Sequence, residues 1–453
     1  IKYPYSLLMD DEGNELRRFV NEGYLYDPIT DQLSIEGSSL HHSINIPGKV
    51  YNAIKERIAN KLAPPQIFDV EKILQVAGVQ DHGLEAPLLF NHVDAQIKRN
   101  IIFTSQMVTN YHPIGPGDAV SDDGQPMGES ASSNLAFPGS CYPTNSEASD
   151  RATIRGRVEK PANNKTPPSI YNTHANDFLS QLIRKPMTGQ PWTMYQVEEQ
   201  QNTALQKART ELVRATIQCD SANTLKAFVK AEPYPTPNDP RNITTMSPEL
   251  TLSMSRFTYA FKEDVLKNQK FYSPGLTPVM ITDRLKEITD QMTGVVLTDY
   301  NRFDGSISKW LQLNIGKAAY LRWAHGTHKG EFEILFKKVF KKTGTTSHGI
   351  KYDAGWGTRS GSPITTDVNT MINAFIMYVS FRKAGLSIPA AFQSLGLYCG
   401  DDGFTANYRD LKHHLADTVR ELGLSVDIEI RNKGPYPYCG RLFIDPSNVP
   451  DSF

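Results

Sequence analysis

The tetrapeptide Gly400-Asp401-Asp402-Gly403 constrains this chain more than any other short stretch. It lies in the segment LGLYCGDDGFTA, residues 395–406, where Leu395, Leu397 and Cys399 alternate before it and Phe404 and Ala406 after it. Alternation at period two predicts two strands, and the glycines, Gly400 and Gly403, predict a tight turn joining them. Two adjacent carboxylates then sit at the turn. Like charges a few ångströms apart repel by about 4 kcal/mol at an effective dielectric near 20. A bound divalent cation offsets that repulsion; an ordinary solvated Asp-Asp turn is the other reading of the same residues.

The chain of 453 residues is long enough for two or three domains, with 39% hydrophobic and 21% charged residues as in a soluble globular protein. Its net charge of −1 means that any nucleic-acid site is a local basic surface. Cys141, Cys219, Cys399 and Cys439 form no Cys-x-x-Cys pair, which argues against a zinc site or a disulfide framework and suits a reducing compartment. No apolar run reaches the length of a membrane span, and no signal peptide is present. A start at Ile1 leads us to expect a piece of a longer protein.

Residues 1–110 mix short helical and strand-like patterns, residues 113–150 are rich in Gly, Ser, Pro and Asn and predict a long mobile loop, and residues 174–218 predict helix. Between them, Arg151, Arg155, Arg157, Lys160 and Lys165 form a basic stretch that is either a solvated loop or a phosphate contact. From residue 294 the pattern sharpens. Residues 294–299 predict a buried strand, followed by a helix with Ile307, Trp310, Leu311, Ile315 and Ala318 on one face. Residues 330–350 predict loop and turn. Val368, Met371, Ile372, Phe375, Ile376 and Val379 predict an amphipathic helix, and Leu411, Leu415, Val419 and Leu422 another, closed by Gly423. Val426, Ile428 and Ile430 alternate with charges as a strand, and residues 439–444 predict one more. The order from 294 to 431 is the split β-α-β-β-α-β arrangement, in which the first strand lies beside the hairpin and brings Asp299 towards Asp401.

Three further groups carry chemistry. Asp299 and Asp304 have four residues between them, and Asp299 with Asp401 can hold two Mg²⁺ ions, with Asp402 as an auxiliary ligand; alone, Asp299 reads as a strand-end cap. The segment SGSPITTDVN, residues 360–369, runs into the amphipathic helix, so that Asn369 and Asp304 can face one another and hydrogen-bond a ribose 2′-hydroxyl; alone, Asn369 reads as a capping residue. Lys226, Phe228 and Lys230 predict a strand with its charges on one side, followed by Glu232 and by Arg241, which can fork onto a triphosphate or simply pair with the glutamate.

Taken in this order, the Lys/Arg strand, Asp-x4-Asp, Ser-Gly-x3-Thr-x3-Asn and Gly-Asp-Asp resemble the viral RNA-dependent RNA polymerases, and most of all the nodavirus replicases. The matching motifs cover about residues 226–444. Asp299 and Asp304 match motif A; Ser360, Gly361, Thr365 and Asn369 match motif B; Gly400, Asp401 and Asp402 match motif C; Lys230, Glu232 and Arg241 match motif F; the helix at 410–424 resembles motif D and residues 438–443 the motif E hairpin.

The resemblance implies an α+β right-hand polymerase. Residues 1–293 are then an N-terminal extension and fingers, with motif F near 226–243. Residues 294–434 are a ferredoxin-like palm with a finger-type insertion at about 326–359, and residues 435–453 are the motif E hairpin and the start of a truncated thumb. It implies that Asp299, Asp401 and Asp402 bind two Mg²⁺ or Mn²⁺ ions and are catalytic. Asp304, Asn369 and Thr365 bind the nucleotide, Lys230 and Arg241 hold its triphosphate, and Ser360 and Gly361 support the template and nascent pair. The implied partners are RNA template and product, ribonucleoside triphosphates, and further copies of the chain in a membrane-bound replication complex on the cytoplasmic face of a host membrane (the mitochondrial outer membrane in that family). The chain itself is expected to be soluble, with no span of its own. A reverse transcriptase shares the paired aspartates but sets a bulky residue against the 2′-hydroxyl. A terminal nucleotidyltransferase and a non-catalytic RNA-binding assembly module are the remaining alternatives.

Overall fold

The computed structural model describes residues 6–19, 24–36, 43–59, 66–96, 111–114, 130–133, 141–201, 203–214, 225–234, 238–290 and 294–443. They fall into two compact units, one comprising residues 1–105, 198–223 and 247–252, the other residues 106–197, 224–246 and 253–453.

The first unit holds a five-stranded antiparallel meander from Ser6–Met9 to Ser43–Pro47, with the helices Gly48–Ala59, Ile67–Val76 and His82–Gln96. Leu33 and Ile35 pair across strands with Ile46 and Ile44, so period-two alternation turns all four to one face. Val50, Ile54 and Ile58 recur at helical spacing and close that face into a core with Leu74, Leu89 and Val93.

The second unit carries the sheet that the sequence predicted. Its four antiparallel strands run in the order Leu397–Cys399, Asp402–Ala406, Val295–Tyr300, Val426–Arg431. The first strand in chain order is therefore central, flanked by the second strand of the hairpin and by the last strand. Val295–Thr298 is buried throughout, as an apolar, β-branched run in a central position requires, and only at Asp299 does the strand emerge. One face packs on the helix Pro278–Thr289 and a small hairpin, Tyr436–Tyr438 with Arg441–Phe443, through Ile281, Leu285, Val295, Leu297, Phe404 and Tyr438. The long helix Thr365–Lys383 packs against the strand Leu397–Cys399 and the helix Leu411–Leu422. The latter ends at Gly423 in the left-handed region, φ 74°, as predicted.

Several expectations change. Residues 367–381 are buried on every side, so the long helix is central and not amphipathic; helices Ile170–Leu182 and Leu411–Leu422 also pack on it. The stripe from Ile307 to Ala318 is interrupted by a π-helical turn, Gln312–Lys317, between Lys309–Leu311 and Ala318–Trp323. The wider turn shifts the buried face, so Ala319, Tyr320 and Trp323 are buried while Trp310 and Ala318 are only half-buried. Residues 330–350 are not a loop. They contribute the end of the helix Gly326–Val339, where Phe332, Leu335, Phe336 and Val339 face inward and Lys337 and Lys338 sit favourably on the last turn. They also contribute the strand Thr343–Thr346, which pairs with Leu225–Val229 in a second four-stranded sheet. Within 113–150, Cys141–Pro143 is a strand and Glu147–Ile154 a helix capped by Ser146 Oγ; residues 115–129 and 134–140 lie outside the described residues. The strand expected at 439–444 is Arg441–Phe443, and it pairs with Tyr436–Tyr438 in a hairpin with Cys439 and Gly440 at its turn. Residues 444–453, the expected start of a thumb, lie outside the described residues.

Candidate active site

Cys399 pairs with Asp402, so the turn of the Asp-Asp hairpin consists of Gly400 and Asp401, and Asp402 is already the first residue of the returning strand. Gly400 takes φ 62°, which only glycine adopts cheaply. Gly403 was read as a turn glycine; it serves a close approach instead. A Cβ at Gly403 would lie 2.2 Å from Thr298 Oγ1 on the neighbouring strand, with which it is in register.

The hairpin tip is held from beneath by the long helix. Thr370 Oγ1 accepts the Gly400 N–H at 2.9 Å, and Asn373 Nδ2 lies 3.1 Å from the carbonyl oxygens of Gly400, Asp401 and Asp402. Sequence reasoning missed both residues. Their only signal was polarity inside an apolar helical stretch, one of them four residues beyond Asn369.

Asp299, the last residue but one of the central strand, pairs with Asp427 on one side; on the other it follows Thr298, whose partner is Gly403, and continuing that register sets it opposite Asp402. The electrostatics agree. The Asp401 residue is exposed at the tip, yet partial loss of hydration at its carboxyl, aided by the charges of Asp402, Asp304 and Asp299, pushes it up to about 6. Loss of hydration and the Asp299 charge also raise Asp402, against a hydrogen bond from the Cys439 thiol. Among the described residues no three acidic, histidine or cysteine side chains stand together as ready metal ligands. The donor set still fits a hard divalent cation, which takes one or two carboxylates and completes its shell with water and phosphate oxygens.

The second predicted pair is found together. Arg302, in the left-handed region at φ 51°, turns the chain from the strand into the one-turn helix Phe303–Ser306 that carries Asp304. Asp304 accepts Ser360 Oγ at 2.5 Å and Asn369 Nδ2 at 2.6 Å. The Asn369 amide is fixed in turn. Thr358 Oγ1 donates to its Oδ1 at 2.9 Å, and Gln312 Nε2 donates to Thr358 Oγ1 at 3.0 Å. Thr358 and Gln312 had no sequence signal; the π-turn brings Gln312 into reach.

The remaining candidates divide. Arg241 lines the same cavity as Asp304, Ser360, Asp401 and Asp402, a space of about 790 Å³, whereas Lys230 does not. Glu232 pairs with Lys230 at 2.8 Å and lies 3.6 Å from Arg241. Thr365 is not on the cavity; its hydroxyl donates to the Arg359 carbonyl at 2.5 Å and so closes the loop before the helix. Gly361 donates its N–H to Thr244 O at 3.1 Å, where a Cβ would come within 2.4 Å of that oxygen, so its role here is to seat the loop on the strand Asn242–Thr245.

Residues 224–449 match the family described as viral RNA-dependent RNA polymerase. An RNA-directed RNA polymerase from Pariacoto virus is 42% identical over 100% of this chain and 47% of its own length. The chain belongs to the viral RNA-dependent RNA polymerase family. A second relative, from Pieris rapae virus, is 31% identical over 97% of the chain and 44% of its own length. The chain thus spans about half the length of the curated polymerases it matches. Among solved structures, the RNA-dependent RNA polymerase of a human picobirnavirus, an insertion-loop deletion mutant, is similar with a TM-score of 0.53 at 14% identity, over 72% of this chain and 66% of that one. That likeness carries the fold alone, a mixed helix-and-sheet polymerase architecture.

Proposed function

We propose that the chain copies a viral RNA genome by two-metal-ion nucleotidyl transfer from ribonucleoside triphosphates. The observation that supports this best is the meeting, in one cavity, of Asp401, Asp402 and Asp304, the last fixed by Asn369 from behind. Asp299, Asp401 and Asp402 would hold divalent cations, Mg²⁺ or Mn²⁺, which when bound stabilise the attacking and leaving oxygens of an in-line displacement. The Asn369 amide, oriented by Thr358, presents its N–H groups beside Asp304, and the two together suit a hydroxyl that both donates and accepts. They leave room for a ribose where a reverse transcriptase sets bulk. Arg241 is placed to meet the triphosphate, and Ser360 fixes the Asp304 carboxylate beside the template side of the site.

On this reading residues 294–434 form the palm, the 1–293 region with the insertion near 326–359 supplies the fingers, and 435–453 begins a thumb. No helix among the described residues is long and apolar enough to cross a membrane; assembly of several copies on the cytoplasmic face of a host membrane rests on the family resemblance. The test is cation-dependent incorporation of ribonucleotides complementary to an RNA template. Asp401→Ala and Asp299→Ala are expected to abolish it. Incorporation that survives Asp401→Ala, or a preference for deoxynucleotides, overturns the reading, and RNA binding without turnover leaves the assembly-module alternative.

A further inference from the structure

The basic stretch at 151–165 has no part in the site so far. It reaches the cavity through a junction of three chain segments built on one acid. Asp239 is buried, its side chain 3% exposed, and two guanidiniums approach its carboxylate: Arg302 Nη2 at 3.3 Å from Oδ2 and Arg155 Nη2 at 3.5 Å from Oδ1. A third, Arg157 Nε, donates to the Asp239 carbonyl oxygen at 3.0 Å. The segments are pressed together. A Cβ at Gly156 would fall 2.1 Å from Asp239 Oδ2, and one at Gly305, beside Asp304, would fall 2.3 Å from the Arg157 carbonyl oxygen. Thr153 Oγ1 donates to the Pro240 carbonyl at 2.5 Å in the buried part of the junction. The chain from Arg155 to Glu159 takes a π-helical turn, an irregularity common at functional sites.

Arg155 and Arg302 meet the Asp239 carboxylate and Arg157 its backbone carbonyl, and two of the three, Arg157 and Arg302, line the cavity that also holds Asp304, Asp401 and Asp402. Arg157 and Arg302 are half-buried and not sealed, so both can meet an anion that enters the cavity they line.

We propose that Arg157 and Arg302 bind phosphate groups of the incoming nucleoside triphosphate, and that Asp239 is a positioning residue that fixes their forks for this purpose. The assignment rests on the polymerase reading above and extends it to residues that motif matching left aside. Asp239 acts by geometry. Held by a buried acceptor, a guanidinium meets a phosphate without first losing rotamer freedom.

The experiment is steady-state incorporation of GTP by this protein on a short primed RNA with a templating cytidine, read as KM for GTP, kcat and RNA affinity. Arg157→Gln and Arg302→Gln are expected to raise KM by about 10- to 30-fold, the loss of one charge-assisted hydrogen bond, with a smaller change in kcat and in RNA affinity. Asp239→Asn decides between positioning and simple potential. It adds one positive charge to the net balance, so a potential effect lowers KM, whereas released forks raise it by about 5-fold or more. Arg302→Lys gives an independent readout should Asp239→Asn fail to fold: it keeps the charge but not the fork, and KM is expected to stay near the Arg302→Gln value. Recovery of the wild-type KM in Arg302→Lys, a lowered KM in Asp239→Asn, or loss of RNA affinity with unchanged KM in the arginine variants overturns the proposal; the last outcome assigns the arginines to the RNA backbone. A wild-type protein that makes no RNA refutes the polymerase reading itself, and one that does make RNA while its variants keep their KM refutes only this assignment.

Discussion

Asn373 offers the most direct test of how the carboxylates are placed. It is fully buried near the centre of the long helix, and its Nδ2 faces three carbonyl oxygens at 3.1 Å. Two hydrogens serve three acceptors, so two bonds are satisfied at a time. The reverse amide orientation would set Oδ1 against the same three oxygens. Asn373→Ala therefore removes about two net hydrogen bonds at about 1 kcal/mol each and leaves a small cavity worth about 1 kcal/mol more, a loss near 3 kcal/mol. The loss falls at the hairpin tip, so the carboxylates shift, and a misplacement of about 1 Å can cost about 100-fold in rate. Asn373→Asp is nearly isosteric but turns an acceptor towards three acceptors beside Asp401 and Asp402; it is expected to be worse than alanine at neutral pH. Chemical denaturation gives the stability and template-dependent ribonucleotide incorporation gives the rate. A loss below about 0.5 kcal/mol with activity within twofold of wild type, or an aspartate variant better than the alanine one, would refute this account of the hairpin.

Other expectations follow from the same geometry. The folded-state pKa of Asp401, about 6, lies above its ordinary 3.8, so without cation the protein loses stability as pH rises from about 4 through 6; Asp401→Asn should flatten that part of a melting-temperature profile, and Mg²⁺ should raise the melting temperature of the wild type more at pH 7.5 than at pH 5.5. Asn369→Ala, which strips Asp304 of an amide donor, is expected to cut discrimination between ribo- and deoxyribonucleotides by about 10-fold, measured as the ratio of kcat/KM values. Gly403→Ala should lose at least about 2 kcal/mol by overpacking against Thr298, and Thr298→Ala should restore part of it, seen as a non-additive double-mutant cycle in denaturation. Cys439→Ala, which removes the thiol donor to Asp402, should raise the Mg²⁺ concentration for half-maximal incorporation by about 2- to 5-fold.

The hairpin and its neighbouring strand were legible because each depends on local chemistry, alternation and a glycine that must take a positive φ; the Asp304–Asn369 pair, 65 positions apart, was legible only through the order of the motifs. What was illegible depends on distance or on register. Asp239 and Arg157 meet across 82 positions, a separation that no local pattern encodes. The π-turn at Gln312–Lys317 moves a buried stripe by one residue, and periodicity at 3.6 cannot anticipate that. Gly403 looked like a turn residue because a glycine demanded by a neighbour's side chain and one demanded by a backbone angle are written with the same letter. Residues 330–350 suggested a loop through their basic, Gly/Thr-rich composition, although cations such as Lys337 and Lys338 on a last helical turn are favourable.

One rigid rod touches both halves of the chemistry. The helix Thr365–Lys383 grips Asp304 through Asn369 and the hairpin backbone through the adjacent Thr370 and, one turn later, Asn373. A helical turn advances about 5.4 Å and hardly stretches. On the proposed function, a push on Asn369 by a misfitting pentose would be delivered to the aspartate-bearing tip along the same rod, coupling the fit of the sugar to the placing of the carboxylates.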